Sequence, residues 1–259
     1  MDPADTLLNH PAVTRRVFHP ALSAPPGPSL VVDVGGCRLG CYTAPGAPGA
    51  GWVVHFHGNG ELASETMKYR AGLFTRAGVN VCFAEYRGYG WSDGEPALAA
   101  MLGDGEHIVS ALGAPPERVV TFGRSLGSLY AIELARRLPA LAGVVLESGI
   151  ADPCDVWSFA PEAAEIGCSV AEVRAAMVRH FDHRAKLSGF TGPVLVLHAA
   201  RDRLVPVSHA ERLHAWAGGT TKRLVTFPNG DHNSIFPANE DEYTAELYRF
   251  LRDTQIAVP

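Results

Sequence analysis

Seven short apolar runs recur along the chain, separated by longer stretches with helical spacing: Leu30–Val34, Trp52–Phe56, Val79–Ala84, Val119–Phe122, Val144–Leu146, Val194–His198 and Leu224–Phe227. They are rich in Val and Leu and mostly lack apolar–polar alternation. Strands buried on both faces of a parallel sheet read this way. Between them, residues 62–77, 96–112, 126–138, 208–217 and 239–252 read as helices. Pro96 suits a first helical turn, Ser208 with Glu211 has capping-box spacing, and Asn239 precedes the acidic Glu240-Asp241-Glu242. A further short strand is expected around Val13–Phe18. Regular alternation of strand and helix predicts a doubly wound α/β fold, with a mostly parallel sheet of about eight strands and helices on both faces.

At 259 residues with 47% hydrophobic content, the chain is long enough for one large domain with a self-sufficient core. Residues 1–28 read as an N-terminal arm, and 29–148 and 191–259 as two parts of the core. The stretch 149–190 breaks the rhythm and reads as a small cap: Ser169 and Glu172 form a capping box, followed by Val170, Val173, Met177 and Phe181 at helical spacing. A net charge of −5 without a long basic run argues against nucleic acid as the main partner. No run of about 18 apolar residues is present to span a membrane, and the acidic start lacks a signal-peptide layout. Cys37, Cys41, Cys82, Cys154 and Cys168 make an odd, sparse set, read as reduced thiols of a cytoplasmic protein.

The chemistry centres on Gly123-Arg-Ser125-Leu-Gly127. With 27 glycines in the chain, a Gly-x-Ser-x-Gly pattern is weak alone, and Gly90-Trp-Ser92-Asp-Gly94 is a second match. Context separates them. Ser125 stands directly between a strand and a helix, as a nucleophile elbow requires, whereas Ser92 lies in a long loop with no immediate helix. A serine needs a base. Of 11 histidines, His232 lies in a loop between the last strand and the last helix, where it can reach an elbow serine; His198, His209 and His214 read as packing or surface residues. Asp202, after the strand ending at His198, is the favoured partner for the base. Glu147 is a geometrically possible rival, while Asp231 is disfavoured by its adjacency to His232. The glycines of His57-Gly-Asn-Gly60 let amides approach a substrate oxygen, so the amides of Asn59 and Leu126 are the expected oxyanion donors. His57, Gly58, Trp157, Phe159 and Met177 are candidate substrate contacts. His55-x-His57 has no further ligand cluster, so no metal is expected. The glycine-rich stretches fit neither a Walker loop nor a dinucleotide fingerprint, so no cofactor is expected either.

These residues resemble those of the α/β-hydrolase superfamily. The order Ser125, Asp202, His232 follows that family's order. Phe56-His-Gly-Asn-Gly-Glu61, Glu85-Tyr-Arg-Gly-Tyr-Gly90 and His198-Ala-Ala-Arg-Asp-Arg-Leu-Val-Pro206 are similar to its small-capped branch of esterases, monoacylglycerol-type lipases and protein depalmitoylases. The resemblance spans roughly residues 30–252 and implies the α/β-hydrolase fold and a serine hydrolase acting on a small-molecule ester or thioester. The same parts serve C–C bond hydrolases, amidases and acyltransferases, and a catalytically weak ligand-binding homologue is a third reading. A serine nucleophile disfavours the dehalogenase and epoxide hydrolase branches, where an Asp attacks. The membrane-attached members' N-terminal helix or cysteine cluster is lacking here, and His198-Ala199 replaces a common His-Gly.

Overall fold

A computed structural model describes residues 2–21 and 26–257, so Met1 and residues 22–25 of the expected arm lie outside it. The chain opens with helices α1 (Pro3–Leu8) and α2 (Pro11–Val17), then strands β1 (Leu30–Asp33), β2 (Arg38–Ala44) and β3 (Trp52–Phe56). Next come α3 (Ala63–Thr75), β4 (Asn80–Ala84), α4 (Asp104–Leu112), β5 (Val119–Arg124), α5 (Gly127–Arg137) and β6 (Gly143–Glu147). Four helices follow, α6 (Pro153–Val156), α7 (Ala160–Ile166), α8 (Val170–Phe181) and α9 (His183–Ser188). The chain closes with β7 (Val194–Ala199), α10 (Ser208–Trp216), β8 (Lys222–Phe227) and α11 (Glu240–Asp253).

The strands form one eight-stranded sheet in the order β1-β2-β4-β3-β5-β6-β7-β8. β2 runs antiparallel to β1 and β4, and β3 to β8 run parallel. Parallel strands need both faces covered. Leu73 and Phe74 of α3 and Tyr243, Leu247 and Leu251 of α11 cover one face; Ile108 of α4, Leu129 and Ile132 of α5 and Leu213 of α10 belong to the core on the other. The loops that carry Asn59, Ser125, Asp202 and His232 leave the carboxyl ends of β3, β5, β7 and β8, where open α/β sheets place their sites.

Several expectations need correction. Val13–Phe18 is not a strand: Pro11 opens α2, with the His10 ring accepting from the Ala12 amide, and the arm's Leu8, Val13, Val17 and Phe18 are buried in the main core. The eighth strand is instead β2, whose Arg-Leu-Gly-Cys-Tyr-Thr-Ala carries no Val/Leu run to announce it. Pro96 opens turns rather than a helix, since α4 begins only at Asp104. The Ser208–Glu211 box does not form, and the Asn239 amide group turns to the carbonyls of Asn229 and Ile235 instead of capping α11. The Ser169–Glu172 box does form.

The insertion between β6 and β7 packs by its parts: α8 against α1, α7 against α2, α9 against α5 and α10. The arm and the insertion are therefore joined, and Arg15–Glu165 and Arg179–Asp2 ion pairs bridge them. Among the described residues, no helix is long and apolar enough to cross a membrane.

Candidate active site

Ser125 sits at a sharp turn between β5 and α5 with φ of 50°, a left-handed conformation that costs a non-glycine residue roughly 1–2 kcal/mol. The flanking glycines are steric necessities. A Cβ on Gly123 would collide with the Gly127 carbonyl and Ser128, and one on Gly127 with the carbonyls of Phe56 and His57. Glycine at both positions lets α5 start flush against β3 and β5, with the hydroxyl presented at its N-terminus.

The structure brings the three predicted residues into one hydrogen-bonded row. His232 Nε2 lies 2.8 Å from Ser125 Oγ, and His232 Nδ1 lies 2.7 Å from Asp202 Oδ2. The other Asp202 oxygen accepts the amides of Leu204 and Val205 at 2.9 and 2.8 Å. Burial pushes the Asp202 carboxyl up, but the His232 hydrogen bond and the Val205 amide outweigh it and hold it below the ordinary range. Ser125, Asp202 and His232 are 9%, 6% and 6% exposed, so the row is nearly dry.

The rivals are occupied elsewhere. Glu147 receives two hydrogen bonds from Arg70, one from Tyr243 and the Nε of Arg124. Asp231 closes its own turn, accepting from Asn233 and Ser234. Ser92 Oγ accepts the Gly40 amide at 3.0 Å, a loop-to-strand tie. His209 accepts the Ala151 amide, and His198 Nε2 donates to the Val205 carbonyl at 2.8 Å while lying 3.4 Å from Asp202.

The loop after β3 is held from below. His57 Nε2 lies 2.7 Å from Glu85, and Nδ1 lies 2.8 Å from the Gly58 carbonyl. The Gly58 carbonyl accepts and the Glu85 carboxylate favours the protonated ring. Burial opposes that charge, yet Glu85 more than offsets it and raises the histidine's pKa. At 1% exposure with both nitrogens used, His57 braces the loop rather than facing a ligand, which corrects its expected place as a substrate contact. His55 points to the opposite sheet face, stacked on Phe122 at 4.6 Å, so the two histidines cannot share a metal. Among the described residues, three potential metal ligands converge only at Asp2, Asp5 and His180, on the arm and α8.

The amides of Asn59 and Leu126 donate to no protein group among the described residues. The Asn59 side chain is clasped by the arm: its Nδ2 donates to the Val17 carbonyl at 2.5 Å, and its Oδ1 accepts the His19 amide at 3.0 Å. Sequence reading missed this clasp, because contacts between residues forty apart leave no local pattern. It also missed Arg124, whose guanidinium reaches Glu61, the His232 carbonyl, Asn233 and Glu147. The signal available was a charged residue inside a motif of small and apolar neighbours.

Of the remaining candidates, Gly58 is buried with its amide given to Glu61 at 2.8 Å, Phe159 and Met177 are buried in the insertion, and Trp157 is half-buried. A cavity of about 580 Å³ lies between α3 and the loops after β3 and β8, lined by Gly60, Glu61, Tyr69, Arg124, Asn233 and Phe236 among others.

Comparison with known proteins bears on the family and the fold. The chain is 32% identical over 179 residues to alpha/beta hydrolase domain-containing protein 17C of Xenopus tropicalis, covering 67% of this chain but only 54% of that protein. An uncharacterized Mycobacterium tuberculosis protein is 26% identical over 256 residues, 93% of this chain and 88% of that one. An esterase from Pyrococcus furiosus superposes with a TM-score of 0.71 at 17% identity, covering 91% of this chain and 98% of that structure, a likeness of fold. The family described as Serine aminopeptidase, S33 matches residues 47–182, a span holding both the loop after β3 and the elbow. With more than half of its length inside that match, and with the sheet order just described, the chain belongs to the S33 family of α/β hydrolases.

Proposed function

We propose that the chain is a serine hydrolase that cleaves a carboxylic ester or thioester through an acyl-enzyme intermediate. The observation that carries this reading is the unbroken row from Ser125 Oγ through the His232 ring to Asp202. Ser125 attacks the carbonyl carbon while His232 Nε2 takes its proton, and Asp202 fixes the tautomer and steadies the imidazolium. The carbonyl oxygen, now negative, sits between the Asn59 and Leu126 amides. His232 then returns the proton to the departing alcohol or thiol, and water repeats the cycle on the acyl-enzyme.

Residues 149–190 serve as the cap in this reading, with the arm bound to it, and the half-buried Trp157 favours an apolar acyl or aryl group. The five free cysteines fit a reducing compartment such as the cytoplasm. The test is turnover of p-nitrophenyl butyrate and octanoate by wild type and Ser125→Ala. Hydrolysis that disappears with the hydroxyl supports the reading; equal rates for the two proteins overturn it. Mass analysis of products with an added nucleophile separates hydrolysis from acyl transfer, and amide and C–C substrates test the alternative reactions.

A further inference from the structure

We propose that Arg124 is a positioning residue that sets the Asn59 amide and His232 in register with Ser125, a role that rests on the acyl-transfer reading above. It precedes the nucleophile in sequence and is paired in the sheet with Glu147, the last residue of β6. From there a single, nearly buried guanidinium spans the loops after β3 and β8 and the end of β6. Nη1 pairs with Glu61, and the other Glu61 oxygen accepts the Gly58 amide at 2.8 Å. Nη2 donates to the His232 backbone carbonyl at 3.0 Å and to Asn233 Oδ1 at 2.9 Å. Nε faces Glu147 Oε1 at 3.2 Å, and Glu147 is anchored in turn by Arg70 and Tyr243.

The consequences follow from geometry. The Gly58 amide is committed to Glu61, which leaves the next amide, that of Asn59, as the donor free for an oxyanion. Arg124 holds the His232 carbonyl and Asp202 holds its ring, so both the backbone and the ring of the base are restrained. A planar fork with five donors makes these contacts at once; an ammonium on a flexible stem cannot. Gly58 fits the same arrangement, because a Cβ there would overlap Arg124 Nη1. Neither substrate nor reacting atoms need touch Arg124, so its removal acts on the transition state through the groups it holds.

The experiment compares wild type, Arg124→Ala and Arg124→Lys for p-nitrophenyl butyrate turnover, with and without methylguanidinium, after circular dichroism has shown that the variants fold. Misplacement of catalytic groups by about 1 Å costs on the order of 10²-fold, so kcat falls by about that factor in both variants while KM changes little. Methylguanidinium raises kcat of Arg124→Ala and leaves Arg124→Lys unchanged. Full activity in Arg124→Lys, a loss carried by KM, or no rescue of a folded Arg124→Ala overturns the proposal. A second readout needs no turnover: the low-field proton signal of the His232 Nδ1–H bonded to Asp202. It is sharp in wild type, broadened or lost in Arg124→Ala, and restored by methylguanidinium. An unchanged signal in Arg124→Ala overturns the positioning role. A wild type without hydrolytic activity instead overturns the acyl-transfer reading and leaves this signal to decide the role of Arg124. If the variants do not fold, Asn233→Ala, which removes one of the acceptors, must broaden the same signal; no change contradicts the proposal.

Discussion

At Ser125 the backbone is held in a left-handed turn that unconstrained serine avoids, and the same turn lifts its hydroxyl to 2.8 Å from His232. The strain persists because neighbours over-determine it: the Ser125 amide bonds the Glu147 carbonyl, and the Ser125 carbonyl accepts from Ser128. The acid partner is the residue on which sequence left a choice, and substitutions separate the candidates. Asp202→Asn removes the carboxylate that fixes the His232 tautomer, so kcat for ester hydrolysis falls by about 10³–10⁴-fold with little change in KM. Asp231→Asn keeps an oxygen for its turn and retains activity within about threefold, as adjacent turn residues have no part in the row. A reversal of that order would reassign the acid.

At the scale of elements, the steric fit around the elbow predicts how α5 responds to substitution. Gly127→Ala forces the first turn of α5 away from the carbonyls of Phe56 and His57. Overpacking of this kind costs roughly 1–3 kcal/mol, and because the displaced turn carries Ser125, urea unfolding and turnover are expected to fall together. His55 gives the opposite prediction. Its ring lies buried among Phe74, Phe83 and Phe122 with neither nitrogen bonded among the described residues, and burial pushes its pKa well below the ordinary value. His55→Phe therefore relieves an unsatisfied polar group and raises stability by about 1 kcal/mol, measured by urea unfolding. The elements legible in sequence were those with a local cause: Val-rich buried strands, the elbow between β5 and α5, the Ser169 capping box. β2 is not legible because its residues are mixed in type and its burial comes from neighbouring strands, and α2 reads as a strand because a two-turn helix has no readable period. The loops bearing Ser125, Asp202 and His232 could be placed from strand order alone. The Arg124 contacts and the Asn59 clasp could not, since they depend on which loops the finished sheet sets side by side.

For the whole molecule, the buried charges that support the site also set its pH range. Burial favours protonation of Glu147, but Arg70, Arg124 and Tyr243 outweigh it and hold its carboxyl at about 2, against an ordinary 4.5. A depressed pKa stabilises the fold fully above the unfolded value and is lost as pH falls from 4.5 toward 2. His57 has the opposite sign. Its raised pKa contributes below the ordinary 6.5 and is lost as pH rises through the folded value. Melting temperature is therefore expected to fall on both sides of a plateau, with Glu147→Gln lowering the plateau and flattening the acid limb. An acid limb unchanged in Glu147→Gln would show that other carboxylates set it.

Intact mass after fluorophosphonate treatment of wild type, Ser125→Ala and Ser92→Ala tests whether Ser125 is the nucleophile. One covalent adduct is expected on wild type and on Ser92→Ala, and none on Ser125→Ala. An adduct that persists on Ser125→Ala, or a wild type that takes none, would contradict it.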